Sequence, residues 1–211
     1  MSDYAPDAST ARVDLCRFLS ACFYEPAAEF AEEKLFDSIH TAALQLSPDL
    51  AEHAGELREA FFAQDLQTLL VDYTPLFLGP LETLAPPYGS AWTVAQPNDE
   101  ENPLPAVLAL FEEGGFDLDP EFRDLPDHVA VELEFLYVLT FNKTQAERDG
   151  KVDEAAAIEQ LRQRFLSEHL GAWIEPFSIA VTANAQTAFY RELAAFTRSF
   201  VLTEMVRPVV H

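Results

Sequence analysis

Residues 127–145 read DHVAVELEFLYVLTFNKTQ, the most continuously apolar helical stretch in the chain. A helix that is apolar on all sides belongs in the interior of a protein. The stretch therefore predicts a central helix around which the other elements pack. The apolar side chains that cover nearly its whole circumference are Val129, Val131, Leu133, Phe135, Leu136, Val138, Leu139 and Phe141.

Amphipathic helical periodicity accounts for most of the chain on either side of this stretch. Ser9 or Thr10 is a candidate cap for a first helix, which ends before Pro26, and Pro48 after Ser47 begins a later one. No alternating strand pattern and no internal repeat is present. We expect an all-α fold, a single compact domain of about nine to eleven helices over residues 1–211. The further helices are expected at about 28–46, 48–63, 66–77, 105–113, 152–170, 172–183 and 186–207.

The helical pattern stops between residues 79 and 105. A long structureless segment inside a compact protein is uncommon and often functional. We expect a Pro-rich functional loop that lies over the surface of the helical domain. Its prolines are Pro80, Pro86, Pro87, Pro97, Pro103 and Pro105.

The charge of the chain is strongly acidic. Its 36 Asp and Glu residues outnumber 13 Lys and Arg, which gives a net charge of −23, while 49% of its residues are hydrophobic. Nucleic acids and anionic membrane surfaces are therefore poor partners, and cationic partners are favoured. Solubility or adaptation to salt is an alternative explanation of the charge.

The sequence predicts a cytoplasmic protein without stable membrane insertion. Residues 1–10 lack the basic and apolar regions of a secretory signal, and no run approaches the ~20 apolar residues of a membrane span. Cys16 and Cys22 are six positions apart in a helical pattern, so their Cα atoms are expected ~9 Å apart. That distance is too long for a disulfide, and free thiols are expected.

The familiar signatures of catalytic sites are missing from the sequence. It contains no Walker A sequence, no G-x-G-x-x-G, no G-x-S-x-G, no zinc-type spacing of Cys and His, and no E-x-x-H pair. We therefore expect no enzyme activity, no cofactor and no metal. An enzyme with an unrecognised site remains an alternative.

Three segments carry a resemblance to a known family. They are YTPLF at 73–77 followed by Gly79, PPYGS at 86–90 with Trp92, and DLPDHVAVELEFL at 124–136; FLSEHL at 165–170 with Trp173 is a weaker fourth. In this order and spacing they resemble the TorD/DmsD/NarJ family of redox-enzyme maturation chaperones. Asp124 departs from the pattern, because the family usually has Glu at that position.

The resemblance implies an all-helical, non-catalytic chaperone. Such proteins bind the twin-arginine leader peptide of the apo catalytic subunit of a molybdopterin oxidoreductase, and hold it back from export until its cofactor is inserted. They occur as monomers or homodimers, some of them domain-swapped. The resemblance places the binding region where the Pro-rich loop meets the start of the central helix.

The residues in these segments suit a peptide with a cationic head and an apolar body. Acidic side chains can accept charge-assisted hydrogen bonds from guanidinium groups, and aromatic side chains supply apolar and stacking surface. The candidate peptide-binding residues are Tyr73, Leu76, Phe77, Pro86, Pro87, Tyr88, Ser90, Trp92, Asp124, Asp127, His128 and Glu132.

Structural explanations of the same residues also stand. Asp127 can simply cap the central helix, and His128 can bond Glu132 one helical turn later. Leu76 and Phe77 are typical core residues. Because Glu132 and Glu134 lie ~160° apart around a helix, they cannot both face one groove. The corresponding alternative for the whole chain is an acidic helical assembly subunit of a redox-enzyme complex without a leader-peptide groove.

Overall fold

A computed structural model describes residues 7–79, 83–93, 104–118 and 124–206, and helices dominate these ranges. A π-helical turn, Thr74–Leu78, continues the fifth helix, and a short 3-10 turn covers Gly89–Ala91. The described residues contain no β-strand, only one isolated bridge. The predicted all-α class is therefore confirmed. The α-helices are α1 (Ala8–Cys22), α2 (Glu29–Glu32), α3 (Leu35–Ala43), α4 (Pro48–Phe62), α5 (Leu66–Tyr73), α6 (Leu104–Glu113), α7 (Val129–Arg148), α8 (Val152–Glu168), α9 (Leu170–Asn184) and α10 (Ala188–Val206).

Some sequence predictions lie outside the described residues. They are the N-terminal segment 1–6, the prolines Pro80, Pro97 and Pro103 of the loop, the connector at 120–123, and the predicted helix end at 207. Of the loop, the structure describes Gly79 and residues 83–93, and α6 begins at Leu104.

The predicted central helix forms as α7, which packs against α1 and α8. Leu133, Phe135 and Leu136 are fully buried, and the ring of Phe135 contacts Phe111 of α6 and Phe165 of α8. The C-terminal half of α7 is less enclosed, because Phe141 is 41% exposed. The apolar stretch therefore predicts the core correctly over its first three turns.

Helix caps differ in part from the expectation. Ser47 caps α4 as predicted and accepts a hydrogen bond from the Leu50 amide. The cap of α1 is Asp7, whose carboxylate accepts from the Thr10 amide at 2.8 Å, so the prediction of Ser9 or Thr10 is wrong. Asp7 occupies the position three residues before a free helical N–H, where a carboxylate is an effective acceptor.

Two predicted helices are interrupted. The helix expected at 28–46 divides into α2 and α3 at Lys34, which has a left-handed backbone with φ of 55°. Glu32 and Glu33 lie at the C-terminus of α2, where the helix dipole disfavours negative charge. The helix expected at 66–77 changes at Thr74 from α to π, because Pro75 has no N–H to continue the α-helical ladder.

A buried ion network joins α1, α7, α8 and α10. Arg162 is 2% exposed and donates hydrogen bonds to Glu159 at 2.8 and 3.0 Å and to Glu204 at 3.0 Å. Arg12 also pairs with Glu204 at 3.0 Å, and Lys143 with Glu159 at 3.3 Å. Burial alone would raise the pKa of Glu159, but Arg162 and its neighbours lower it to about 2. We call these five residues the ion network.

Both cysteines are free and buried, as predicted. Burial raises the pKa of the Cys16 and Cys22 thiols, which keeps them protonated. In the part of the chain that the structure describes, no helix is both long enough and apolar enough to cross a bilayer.

Candidate functional site

The described part of the Pro-rich loop folds against the N-terminus of α7. The Val129 amide donates to the Pro87 carbonyl at 2.8 Å, and the Gly89 amide donates to the Asp127 carbonyl at 2.9 Å. These two bonds flank an antiparallel bridge between Tyr88 and His128. The loop and the Asp-His segment therefore meet where the sequence places them.

Asp127 lies underneath the loop. The residue is 3% exposed, and its carboxylate accepts a hydrogen bond from the Ser90 amide at 2.7 Å. The cap of α7 is instead the His128 side chain, whose Nδ1 accepts from the Ala130 amide at 3.1 Å. The interpretation of Asp127 as the helix cap is therefore wrong, because its side chain turns towards the loop. The other carboxylate oxygen of Asp127, Oδ1, is buried without a hydrogen-bond partner.

Glu132 lies deeper, beneath Asp127. It is 1% exposed and accepts a hydrogen bond from Trp173 Nε1 at 3.1 Å, so the expected side-chain pair with His128 is wrong. Burial raises the pKa of Glu132 well above its usual range, and the Asp127 charge adds to the effect. Gly89 lies directly on the same indole, because a Cβ there would be 2.8 Å from Trp173 Nε1. Only a residue without a side chain allows the loop to approach so closely.

The loop is also held by Trp92. Its indole Nε1 donates to the Pro86 carbonyl at 2.8 Å, and its ring contacts Phe177 edge-on at 6.3 Å. Segment 86–92 therefore closes on itself and on α9, so its conformation is fixed by contacts at both ends.

Two tyrosines, Tyr24 after α1 and Tyr88 of the loop, contact His128. The Tyr24 ring stacks parallel to the imidazole with centroids 6.0 Å apart, and the Tyr88 ring meets it edge-on at 5.4 Å. Tyr88 donates its hydroxyl to Asp124 at 2.7 Å, and Tyr24 donates to Glu134 at 3.0 Å. We call Tyr24, Tyr88, Asp124, His128 and Glu134 the aromatic–acid surface.

The protonation states at this surface leave it negatively charged. Burial lowers the pKa of His128, although Asp124 and Asp127 oppose the effect, so the imidazole is neutral at physiological pH. Since Nδ1 accepts a hydrogen bond, the proton of the neutral ring is on Nε2. Burial first, and then the adjacent carboxylates, raise the pKa of Tyr24 and of Tyr88, so both hydroxyls stay protonated donors.

The two carboxylates of the surface have no cationic partner among residues 7–79, 83–93, 104–118 and 124–206. Asp124 accepts through Oδ1 from Tyr88 and from the Leu125 amide, and Glu134 accepts through Oε1 from Ser20 and Tyr24. All of these donors are neutral. Within the same ranges, Asp124 Oδ2 and Glu134 Oε2 make no hydrogen bond and can accept from an added cation.

The remaining predicted site residues divide by burial. Tyr73, Leu76, Phe77 and Pro87 are buried, and the Phe77 ring packs on Phe23, Tyr73, Phe177 and Tyr190, which confirms the core interpretation of Leu76 and Phe77. Pro86, Tyr88 and Trp92 are half-buried, while Ser90 and Asp124 are exposed. The predicted site residues therefore include both core residues and surface residues. In this conformation, the buried residues among them cannot contact a leader peptide.

Sequence reasoning missed Tyr24 and did not assign a role to Glu134. The only signal for Glu134 is a second acid within the most apolar helix, half a turn from Glu132. Tyr24 has no signal of its own, since it precedes Glu25-Pro26 at the end of α1 and is 110 residues from its partner. The described residues of the aromatic–acid surface contain no group of three potential metal ligands.

Comparisons with known proteins point in one direction. A family model described as "Nitrate reductase delta subunit" matches residues 43–178. The chaperone protein YcdY of Escherichia coli (strain K12) is 30% identical over 188 residues, which cover 89% of this chain and 90% of that protein. The perchlorate reductase assembly chaperone protein of Dechloromonas aromatica (strain RCB) is 27% identical over 180 residues, covering 84% and 79%.

The fold is similar to that of a solved structure. A crystal structure described as that of a redox enzyme maturation protein from Archaeoglobus fulgidus aligns with a TM-score of 0.55. The alignment covers 90% of this chain and 93% of that one, at 20% sequence identity. At this identity the likeness establishes the helical fold and nothing finer.

Proposed function

This chain belongs to the nitrate reductase delta subunit family, the TorD/DmsD/NarJ family that its motifs resemble, and from that membership we propose that it is a maturation chaperone for a redox enzyme. Its client is the apo catalytic subunit of a molybdopterin oxidoreductase, which it holds in the cytoplasm until the cofactor is inserted. Its role is binding rather than catalysis. The names of its relatives as chaperones support this proposal.

The aromatic–acid surface is the observation that carries the proposal of leader binding. A guanidinium group is planar, binds carboxylates strongly and stacks on aromatic rings. Asp124 and Glu134 each offer one carboxylate oxygen beside a tyrosine ring, on the two sides of His128. Two such positions suit two adjacent arginines, one at each carboxylate. Leu125, which is 43% exposed next to Asp124, offers apolar surface for the body of the leader.

Asp127, His128 and Glu132 support this surface from behind. Asp127 holds the Ser90 amide, His128 lies between the tyrosines, and Glu132 holds Trp173 beneath the loop. An arginine would reach Asp127 or Glu132 only after segment 86–92 moved away from α7. We therefore propose Asp124 and Glu134 as the first contacts of the leader and the buried acids as residues that position them.

Calorimetric titration of a synthetic twin-arginine leader tests the proposal. The double variant Asp124→Asn/Glu134→Gln keeps the shape of both side chains and removes their charge. Each lost charge-assisted bond is worth roughly 1.5–3 kcal/mol, so we expect an affinity about ten- to a hundredfold lower for each guanidinium that loses its partner. A peptide with Gln-Gln in place of Arg-Arg should bind wild type equally poorly.

The matched control is Asp49→Asn/Glu52→Gln, which removes two exposed charges from α4. We expect this control to bind the twin-arginine peptide like wild type, and both double variants to keep the wild-type melting temperature. Equal affinities in both double variants would refute the assignment of the surface. If wild type fails to bind any leader but copurifies with one folded subunit, the chain is an acidic assembly subunit instead.

A further inference from the structure

A second cluster of titratable groups lies between α4 and α10. It consists of His53 and Glu56, one helical turn apart on α4, and Glu192 on α10. One potential ligand atom from each residue lies within 4.8 Å of the other two. His53 Nδ1 and Glu56 Oε2 are 4.0 Å apart, which is too long for a hydrogen bond.

The imidazole of this cluster is not satisfied by the two carboxyl groups. His53 Nδ1 is buried and has no hydrogen-bond partner, although buried nitrogen atoms normally have one. Burial raises the pKa of Glu192, and the facing carboxyl group of Glu56 raises it further. Two carboxyl groups and an imidazole nitrogen therefore converge on one point between α4 and α10.

The nearby arginines are engaged elsewhere. Arg191 donates its hydrogen bonds to the carbonyls of Ala185 and Gln186, at 2.8 and 3.1 Å. Arg198 forms its ion pair with Glu175. Neither guanidinium donates a hydrogen bond to the cluster in the described structure, and the charge of Arg191 offsets only part of the rise in the pKa of Glu192.

We propose that His53, Glu56 and Glu192 bind one divalent first-row transition-metal ion, with Zn²⁺ as the best match. Zinc binds imidazole nitrogen and carboxylate oxygen at about 2.0–2.2 Å, and a site with three protein ligands keeps a fourth position for water. Magnesium and calcium prefer shells made only of oxygen, which this set does not provide. The ligand atoms reach zinc distances through side-chain rotation, because α4 and α10 already pack together.

The position of the cluster allows an ion to enter and gives binding a measurable effect. His53 lines a cavity of about 620 Å³ beside α10 and Glu56 is exposed, so solvent reaches the edge of the cluster. A bound ion would connect α4 to α10, which are separated by more than a hundred residues in sequence. Because the unfolded chain cannot hold the three ligands together, binding stabilises the folded state by mass action.

Titration calorimetry with zinc chloride tests the site. An excess of magnesium chloride is included throughout, so that magnesium occupies the diffuse acidic surface. We expect one zinc ion per wild-type chain. His53→Gln and Glu192→Gln each remove one ligand, and we expect at least about tenfold weaker binding, since even the loss of a supporting residue costs 10- to 100-fold. The control Glu59→Gln removes an exposed carboxylate of α4 outside the cluster and should bind like wild type.

Melting curves separate ligand loss from misfolding. Each protein is melted with and without zinc, and the shift is taken against its own metal-free curve. We expect zinc to raise the melting temperature of wild type and Glu59→Gln and to leave His53→Gln and Glu192→Gln nearly unchanged. Equal zinc affinity in all four proteins, or binding that magnesium abolishes, would overturn the proposal. Neither measurement depends on leader binding, so the two proposals succeed or fail separately.

Discussion

The ion network and the aromatic–acid surface both contain carboxylates, but they differ in what those carboxylates bind. In the ion network, Glu159 and Glu204 are paired with Arg162, Arg12 and Lys143. At the aromatic–acid surface, the described donors to Asp124 and Glu134 are hydroxyl groups and one backbone amide. Neutral donors orient a carboxylate without cancelling its charge.

This difference shows how a chain with few cations can keep a negatively charged site. Helix α7 takes part in both regions, with Lys143 in its C-terminal half and Glu134 near its start. Burial makes an unpaired carboxylate costly in the network, whereas partial exposure makes it tolerable at the surface. Three cations therefore pair with the buried acids of the network, whereas Asp124 and Glu134 remain available to a partner.

We expect the largest effect from a variant that breaks the ion network. Arg162→Met leaves Glu159 and Glu204 buried with only their secondary partners, and removing one partner of a buried ion pair costs about 3–5 kcal/mol. We expect the free energy of unfolding, measured by urea denaturation, to fall by about 3 kcal/mol, the lower end of that range. The control Arg164→Met breaks an exposed pair with Glu113 and should cost below ~1 kcal/mol. Similar losses of stability in Arg162→Met and Arg164→Met would contradict the distinction between buried and exposed ion pairs.

A smaller effect concerns the buried acid under the loop. Because the pKa of Glu132 is raised, the folded chain holds its proton more tightly than the unfolded chain. Glu132 therefore contributes its full stabilisation at pH values below the usual pKa range of a carboxyl group. This stabilisation is lost as the pH rises towards the raised pKa of the folded chain. Glu132→Gln keeps an acceptor for Trp173 and has no proton to lose.

We expect Glu132→Gln to be more stable than wild type at pH 8, with a difference that shrinks as the pH falls towards 5. Each unit of raised pKa corresponds to about 1.4 kcal/mol. Urea denaturation across this pH range measures the effect, and Glu52→Gln on exposed α4 serves as the control. Parallel pH profiles for Glu132→Gln and wild type would show that Glu132 is not desolvated.

The smallest effect concerns salt and contrasts the two regions directly. The Debye screening length between exposed charges falls from about 10 Å at 0.1 M salt to about 3 Å at 1 M. Buried ion pairs are screened much less. We expect the affinity for a twin-arginine leader to fall several-fold as sodium chloride rises. The stability difference between wild type and Arg162→Met should stay nearly constant. Leader binding that does not respond to salt would mean that the apolar body alone is recognised, and that the −23 charge serves solubility.

The elements that the sequence predicts well are those fixed by local pattern. The apolar run of α7 and the Ser47-Pro48 start of α4 are both visible in a few neighbouring residues. The break at Lys34 depends on packing as well as on the local charges of Glu32 and Glu33, because Phe36 and Ile39 of α3 are buried in the core whereas no residue of α2 is buried. Such long-range packing leaves little trace in a local window.

In the candidate site too, local patterns predict some features and long-range contacts determine the others. The motif segments predict where the loop meets α7, yet the exposure of each side chain depends on contacts between distant residues. Asp127 is buried because the Ser90 amide and Gly89 lie over it, whereas Glu134 is half-buried and accepts a hydrogen bond from Tyr24, which is 110 residues away in sequence. Charge and residue type alone do not distinguish these two acids.

The π-helical turn at Thr74–Leu78 affects how the chain tolerates changes in length. The Gly79 amide bonds the Thr74 carbonyl five residues earlier, at 2.8 Å, so this turn holds one residue that an α-helical turn excludes. Losing a residue within α5 would rotate everything that follows by about 100°, including Leu76 and Phe77. Losing one inside the π turn would only restore regular spacing. The turn therefore marks a point where a single-residue deletion can occur while the helices before it and the loop after it keep their relative orientation.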